Sequence, residues 1–137
     1  HISPKRLGGK RDPERGPEEL KLSREKLLSY GIEGVIATNT TFDRSGVESN
    51  RRGGETGGLS GAPLTEKACA TLRQIKAQVG DRMAIIGVGG IMSASDARQR
   101  FEAGADLVQI YSGFIYEGPQ LIADIVNSTD IPQGRMA

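Results

Sequence analysis

Residues 84–113 read AIIGVGGIMSASDARQRFEAGADLVQIYSG, and the order of signals within them decides the fold. Ala84 to Val88 is a short unbroken apolar run closed by Gly89 and Gly90, the pattern of a parallel-sheet strand buried on both faces. Ser93 and Asp96 stand at the spacing of a capping box, which opens a helix through Ala97 and Phe101 to Gly104. A further strand is predicted at Leu107 to Tyr111. A short helical turn follows at Ser112 to Tyr116, and a last helix starts at Pro119 or Gln120 and reaches about Val126. Strand, helix and strand across short connections make a βαβ unit with a parallel sheet.

The same alternation continues upstream. Thr65 is placed to cap a helix in which Ala68, Leu72, Ile75 and Val79 recur on one face, with Gly80 at its end. Val35 to Thr38 is a β-favouring run. Between them, Asp43 to Pro63 holds Gly46, Gly53, Gly54, Gly57, Gly58 and Gly61, too glycine-rich for regular structure and long for a connection in a compact domain. Before the strand, a helix pattern begins at Pro17, with Leu20, Leu27 and Leu28 on one face and Gly31 at its end. His1 to Gly16 differs from the rest. Lys5, Arg6, Lys10, Arg11 and Arg15 outweigh Asp12 and Glu14 there, and apolar periodicity is lacking, so a loop or disordered arm is expected.

The class is therefore α/β. A doubly wound nucleotide fold would carry GxGxxG between strand and helix, and GVGGIMS at Gly87 lacks the third glycine. Units of a (β/α)8 TIM barrel fit better. Three predicted strands cannot close such a barrel, whose usual chain is about 250 residues, so the expectation is an incomplete barrel of about three βα units within a larger protein. The expected divisions are residues 1–16 as a basic arm, 17–128 as the partial barrel, and 129–137 as a tail.

Composition limits the function classes. With 18 Lys plus Arg against 17 Asp plus Glu, the net charge of +1 gives no electrostatic case for nucleic acid or an anionic membrane. The single cysteine, Cys69, cannot form an internal disulfide, and it reads as a small buried side chain rather than a nucleophile. The longest mostly apolar stretch, Met83 to Met92, falls short of the roughly 20 residues that a membrane-spanning helix needs, so the chain itself is expected to be soluble. Asn39-Thr40-Thr41 and Asn127-Ser128-Thr129 match glycosylation acceptors, but they are discounted without a secretory signal. No metal-ligating set is assigned.

In a barrel, ligands lie at the C-terminal ends of the strands, and phosphate commonly sits between loops after late strands. IIGVGG ends one strand with glycines whose N–H groups can approach a phosphate closely. VQIYSG ends the next with Tyr111 and Ser112. Thr38 to Thr41 would lie on the same face, and an asparagine that both donates and accepts suits a planar heterocycle with alternating imide N–H and carbonyl groups. The alternative is that Asn39 and the threonines only form an Asx or Ser/Thr turn or cap a helix.

ATNTTFDRS, ETGGLSGAPL, IIGVGGI and GADLVQIYSGFIYEGP, in this order, closely resemble the C-terminal third of class 2, quinone-linked dihydroorotate dehydrogenase. The resemblance covers about Tyr30 to Ser128, and TGGLSG followed by Ala62-Pro63-Leu64 is similar to class 2 rather than class 1. It implies that Thr38 contacts flavin mononucleotide (FMN), and that Asn39 and Thr40 hold the orotate or dihydroorotate ring. It further implies that Gly61 and Gly90 approach the cofactor, and that Tyr111 with Ser112 helps hold its phosphate. The implied reaction oxidises dihydroorotate to orotate in pyrimidine biosynthesis. It passes two electrons through FMN to a membrane quinone, in a parent family associated with the bacterial cytoplasmic membrane or the mitochondrial inner membrane.

The sequence also departs from that pattern. The family's general-base serine, the first half of its flavin site and its quinone-admitting helices have no counterpart in this sequence, so no catalytic residue is assigned. HISP resembles the family's strand-end K-I-(A or S)-P, but His1 stands where a flavin-contacting lysine is expected, and Lys5 replaces an acidic residue. Lys5 to Gly16 match nothing in the family pattern. Two other readings stay open: a non-catalytic partial-barrel module that binds FMN or phosphate, and a class 1-like flavin oxidoreductase using fumarate or a nicotinamide partner.

Overall fold

Parallel pairing organises the molecule. The computed structural model describes residues 7–11, 26 and 29–129. Its sheet is four-stranded in the order β1-β2-β3-β4, with β1 at Leu7–Arg11, β2 at Gly34–Ala37, β3 at Ala84–Val88 and β4 at Leu107–Gln109. Every neighbouring pair is parallel. The helices are α1 (Thr65–Val79), α2 (Ala94–Glu102), α3 (Ser112–Glu117) and α4 (Gln120–Ser128), and a 3-10 turn at Ala62–Leu64 leads into α1.

Strand β1 corrects an expectation. The stretch read as a loop or disordered arm contains a strand in which Lys10 pairs with Ile36 and Arg11 with Ala37, after an irregularity between Leu7 and Lys10. Its residues lack strand periodicity because pairing with a neighbour already in place, rather than local propensity, sets the conformation. The helix expected from Pro17 lies mostly outside the described residues. Lys26 and Ser29 are helical, and Gly31 ends that segment with φ 66.

Register explains which side chains meet. Val35 pairs with Ile85, Ala37 with Gly87, and Gly87 with Val108, so these residues share the face turned toward the helices. Against that face, α1 presents Cys69, Leu72, Ile75 and Val79, and together with Val35, Ala37, Met83, Ile85, Ala103 and Ala105 they form the main core. A Cβ on Gly87 would come within 3.3 Å of Leu72 and 3.2 Å of Ala105, so helix and sheet approach as closely as a glycine permits. A second cluster, Ile91, Ala97, Leu121 and Ile125, joins α2 and α4.

The opposite face is less covered. The strand at Ala84–Val88 was expected to be buried on both faces, but Ala84 is exposed and Ile86 only half-buried. Leu107, which pairs with Ile86, is 59% exposed. This is the face that a closed barrel would turn inward.

Ser93 caps α2 as read, with the return bond to the Asp96 carboxylate coming from the preceding residue's N–H. The Ser93 Oγ accepts from the Asp96 N–H at 3.1 Å and donates to Asp96 Oδ2 at 2.8 Å, while Met92 N–H donates to the same carboxylate at 3.1 Å. Thr65 does not cap α1. It is the first residue of that helix, whose cap position is Leu64, and its hydroxyl donates instead to the Gly90 carbonyl at 2.6 Å.

Candidate functional site

Three strands deliver their C-terminal ends to one place. The backbone leaves β2 through Thr38, whose peptide bond with Ala37 is cis and whose N–H donates to the Val88 carbonyl at 2.9 Å. The chain leaves β3 through Gly89 and Gly90, at φ 100 and 67, and β4 ends just before Tyr111 and Ser112. These ends enclose a cleft lined among others by Thr38, Thr40, Gly61, Gly90, Tyr111 and Ser112. Asn39 is half-buried between two lining residues and is not itself among them. Among the described residues no Asp, Glu, Lys, Arg or His lines the cleft, so its polar character comes from hydroxyls, the Gln109 amide and backbone groups.

The segment between β2 and α1 closes the near side. Thr41 and Leu59 exchange backbone hydrogen bonds at 3.1 and 2.7 Å, which returns the chain to the strand end from which it left. Polar side chains hold the excursion. Arg44 donates to the carbonyls of Glu55 and Gly57, and Lys67 of α1 pairs with Asp43 at 3.0 Å. Hydrogen bonds from the Ser45 hydroxyl and N–H, with the Lys67 ammonium adding to them, hold the Asp43 carboxyl well below the usual carboxylate range. At the end of the excursion, the Ser60 and Ser112 hydroxyls lie 3.0 Å apart and tie the loop to the β4 turn. Ser60 lines the cleft. Sequence reasoning selected Gly61 from the same TGGLSG run and passed over the serine beside it, whose partner is 52 positions away.

The glycines have a packing role as well. A Cβ on Gly90 would stand 2.5 Å from the Thr65 nitrogen, and one on Gly89 would stand 2.6 Å from Leu64 Cδ2. Both glycines therefore let the first turn of α1 pack against the strand end. A Cβ on Gly61 would meet nothing nearer than 3.9 Å, so its φ of 78 is what calls for glycine.

The donor set fits a neutral or anionic oxygen-rich group. Thr38 is 1% exposed, and its Oγ1 has no hydrogen-bond partner although it belongs to a cleft-lining residue. A buried hydroxyl is ordinarily satisfied, and a ligand in the cleft would supply the missing bond. Among the described lining residues no carboxylate repels such a group.

A cleft at the carboxyl ends of parallel strands, lined by glycines and closed by a polar loop, is the arrangement in which barrel folds place their ligand sites. The family model for dihydroorotate dehydrogenase matches residues 10–130, and the chain belongs to that family. The match reaches back to Lys10, in the stretch for which the sequence offered no counterpart. The dihydroorotate dehydrogenase (quinone) of Aliivibrio salmonicida (strain LFI1238) is 51% identical over 116 residues, which are 85% of this chain and 34% of that protein. That of Alkalilimnicola ehrlichii is 54% identical over 104 residues, 76% of this chain and 31% of that protein. The crystal structure of Eimeria tenella DHODH in complex with ferulenol superposes with a TM-score of 0.77 at 35% identity, covering 85% of this chain and 31% of that one. The ligand-free form gives 0.79 at 33% identity, with coverage of 85% and 33%. The chain spans about a third of the length of the curated relatives it matches, and the structural neighbours support the partial (β/α)8 barrel expected from the sequence.

Proposed function

We propose that this chain carries the orotate-contacting strand end and the phosphate end of the FMN site of a quinone-dependent dihydroorotate dehydrogenase, the enzyme that oxidises dihydroorotate to orotate. The observation that carries this reading is the convergence of Thr38 and Thr40, Gly61, Gly90, and Tyr111 with Ser112 on a single cleft, together with the unpartnered Thr38 hydroxyl. When bound, FMN accepts the two electrons removed from dihydroorotate and hands them on to a membrane quinone.

The chain's own residues bind and orient. Thr38 contacts the flavin, and Asn39 and Thr40 hold the pyrimidine ring. Gly61 and Gly90 present backbone donors to the cofactor, and Tyr111 and Ser112 hold its phosphate with the hydroxyl pair of Ser60 and Ser112 beside it. Fixing two reactants in register removes most of the entropic part of a barrier, which is the protein's principal task with a flavin. The base that takes the proton from dihydroorotate is not among the residues assigned here. Among the described residues no helix is long and apolar enough to cross a membrane.

Titration of the chain with FMN, followed by flavin fluorescence, tests the reading. Saturable binding that inorganic phosphate weakens by competition, and that Ser112→Ala reduces, is the expected result. Binding indifferent to both phosphate and Ser112→Ala sinks the assignment.

A further inference from the structure

Arg100 is the most deeply buried charged side chain described, at 0% exposure, and nothing in the proposed function uses it. It sits on α2 behind the β3 turn. Its Nη2 donates to the carbonyls of Gly89 and Thr65, each at 2.8 Å, and its Nη1 donates to Cys69 Sγ at 2.6 Å. Among the described residues no carboxylate pairs with it, and its Nε has no partner. A buried guanidinium keeps its charge under all ordinary conditions, and a buried charge held only by carbonyl dipoles and a thiol is costly to maintain.

The position of this charge gives it a use. In a trans peptide the carbonyl and the following N–H point in opposite directions. The bond from Arg100 to the Gly89 carbonyl therefore turns the Gly90 N–H away from α2, toward the cleft that Gly90 lines. The Thr65 hydroxyl holds the Gly90 carbonyl in the same way, which turns the Ile91 N–H away from Thr65. Among the described residues the cleft wall holds no cation, and a phosphate dianion there is favoured by positive potential from behind the wall.

Resting on the FMN reading above, we propose that Arg100 is a positioning residue for the phosphate: it fixes the Gly89-Gly90 peptide with its donor facing the ligand and supplies the buried positive charge that favours a dianion. It touches neither flavin nor substrate. The sequence reading passed over it because an arginine on an amphipathic helix reads as solvated surface, and only the tertiary fold shows that it points inward.

The test compares two probes, FMN and riboflavin, which differ only in the phosphate, titrated into the 137-residue chain and its Arg100→Met and Arg100→Lys variants. Wild type is expected to prefer FMN. In Arg100→Met that preference should fall about tenfold, the scale of one unit charge acting over roughly 12 Å at an effective dielectric of about 20, while riboflavin affinity stays within about twofold. Lysine keeps the charge without the fork and should leave an intermediate preference, and it carries the test if the methionine variant does not fold. Equal weakening of both probes, or an unchanged preference in both variants, would reduce Arg100 to a structural part and overturn the proposal. If wild type binds flavin without preferring FMN, the phosphate site itself is wrong and the role of Arg100 falls with it.

Discussion

Two regions meet at the cleft and are held by different forces. From β3 to α4, apolar burial does the holding: Ile85, Ile91, Ala97, Leu121 and Ile125 are buried, and the glycines at the strand end allow helix and sheet to touch. Between β2 and α1 the chain is held by Arg44 on two carbonyls, Asp43 on Ser45 and Lys67, and the Thr41–Leu59 bridge. Burial contributes kilocalories and is not screened by salt, while exposed polar bonds contribute little to stability but fix a conformation. The first region should therefore respond to substitution in stability, and the second in loop order and ligand binding.

The largest effect is expected at the packed strand end. Gly90→Val would force a side chain onto the Thr65 backbone at a position with φ +67, and urea unfolding should show a loss of about 3–5 kcal/mol. A loss below about 1 kcal/mol would mean that α1 is not seated on this turn. Next is Thr38→Val, where two readouts move in opposite directions. Replacing a buried hydroxyl that has no partner by a methyl group should raise stability by about 1 kcal/mol while weakening FMN binding. A fall in both would mean that the hydroxyl is satisfied within the fold. Ser93→Ala removes the cap of α2 and should cost about 1 kcal/mol by the same unfolding measurement.

The smallest effect on stability, and the sharpest contrast, belongs to the polar loop. Asp43→Asn should leave the unfolding midpoint nearly unchanged while amide exchange across residues 42–58 accelerates. The Asp43 carboxyl is depressed below its ordinary value of 3.8. Its contribution is therefore complete above that pH and is lost only as pH falls through the depressed value. The Ser45 amide resonance, which reports the bond to Asp43, should titrate with a midpoint below 3.8. A midpoint at or above 3.8 would show the anchor to be absent.

The same division governs what the sequence disclosed. The α1 face of Ala68, Leu72, Ile75 and Val79 and the cap at Ser93 could be read because local periodicity and burial agree there, whereas the strand at Ala84–Val88 was legible in place but not in its burial, since Ala84 is exposed and Ile86 half-buried. Strand β1 could not be read, since its conformation depends on pairing with β2 rather than on its own residues. Thr65 misled because a threonine before a helix suits a cap, whereas here its hydroxyl serves Gly90, a residue 25 positions away. Most of the candidate site residues were legible as strand-end motifs. Ser60 and Arg100 were not, because each acquires its role from a partner distant in sequence.

Hydrogen exchange of the chain with and without FMN tests the central claim most directly, namely that both regions build one site. Slowed exchange together at residues 59–61, 89–91 and 112–114 is the result this account predicts. Protection confined to one region, or appearing instead along the open sheet face around Leu107, would contradict it.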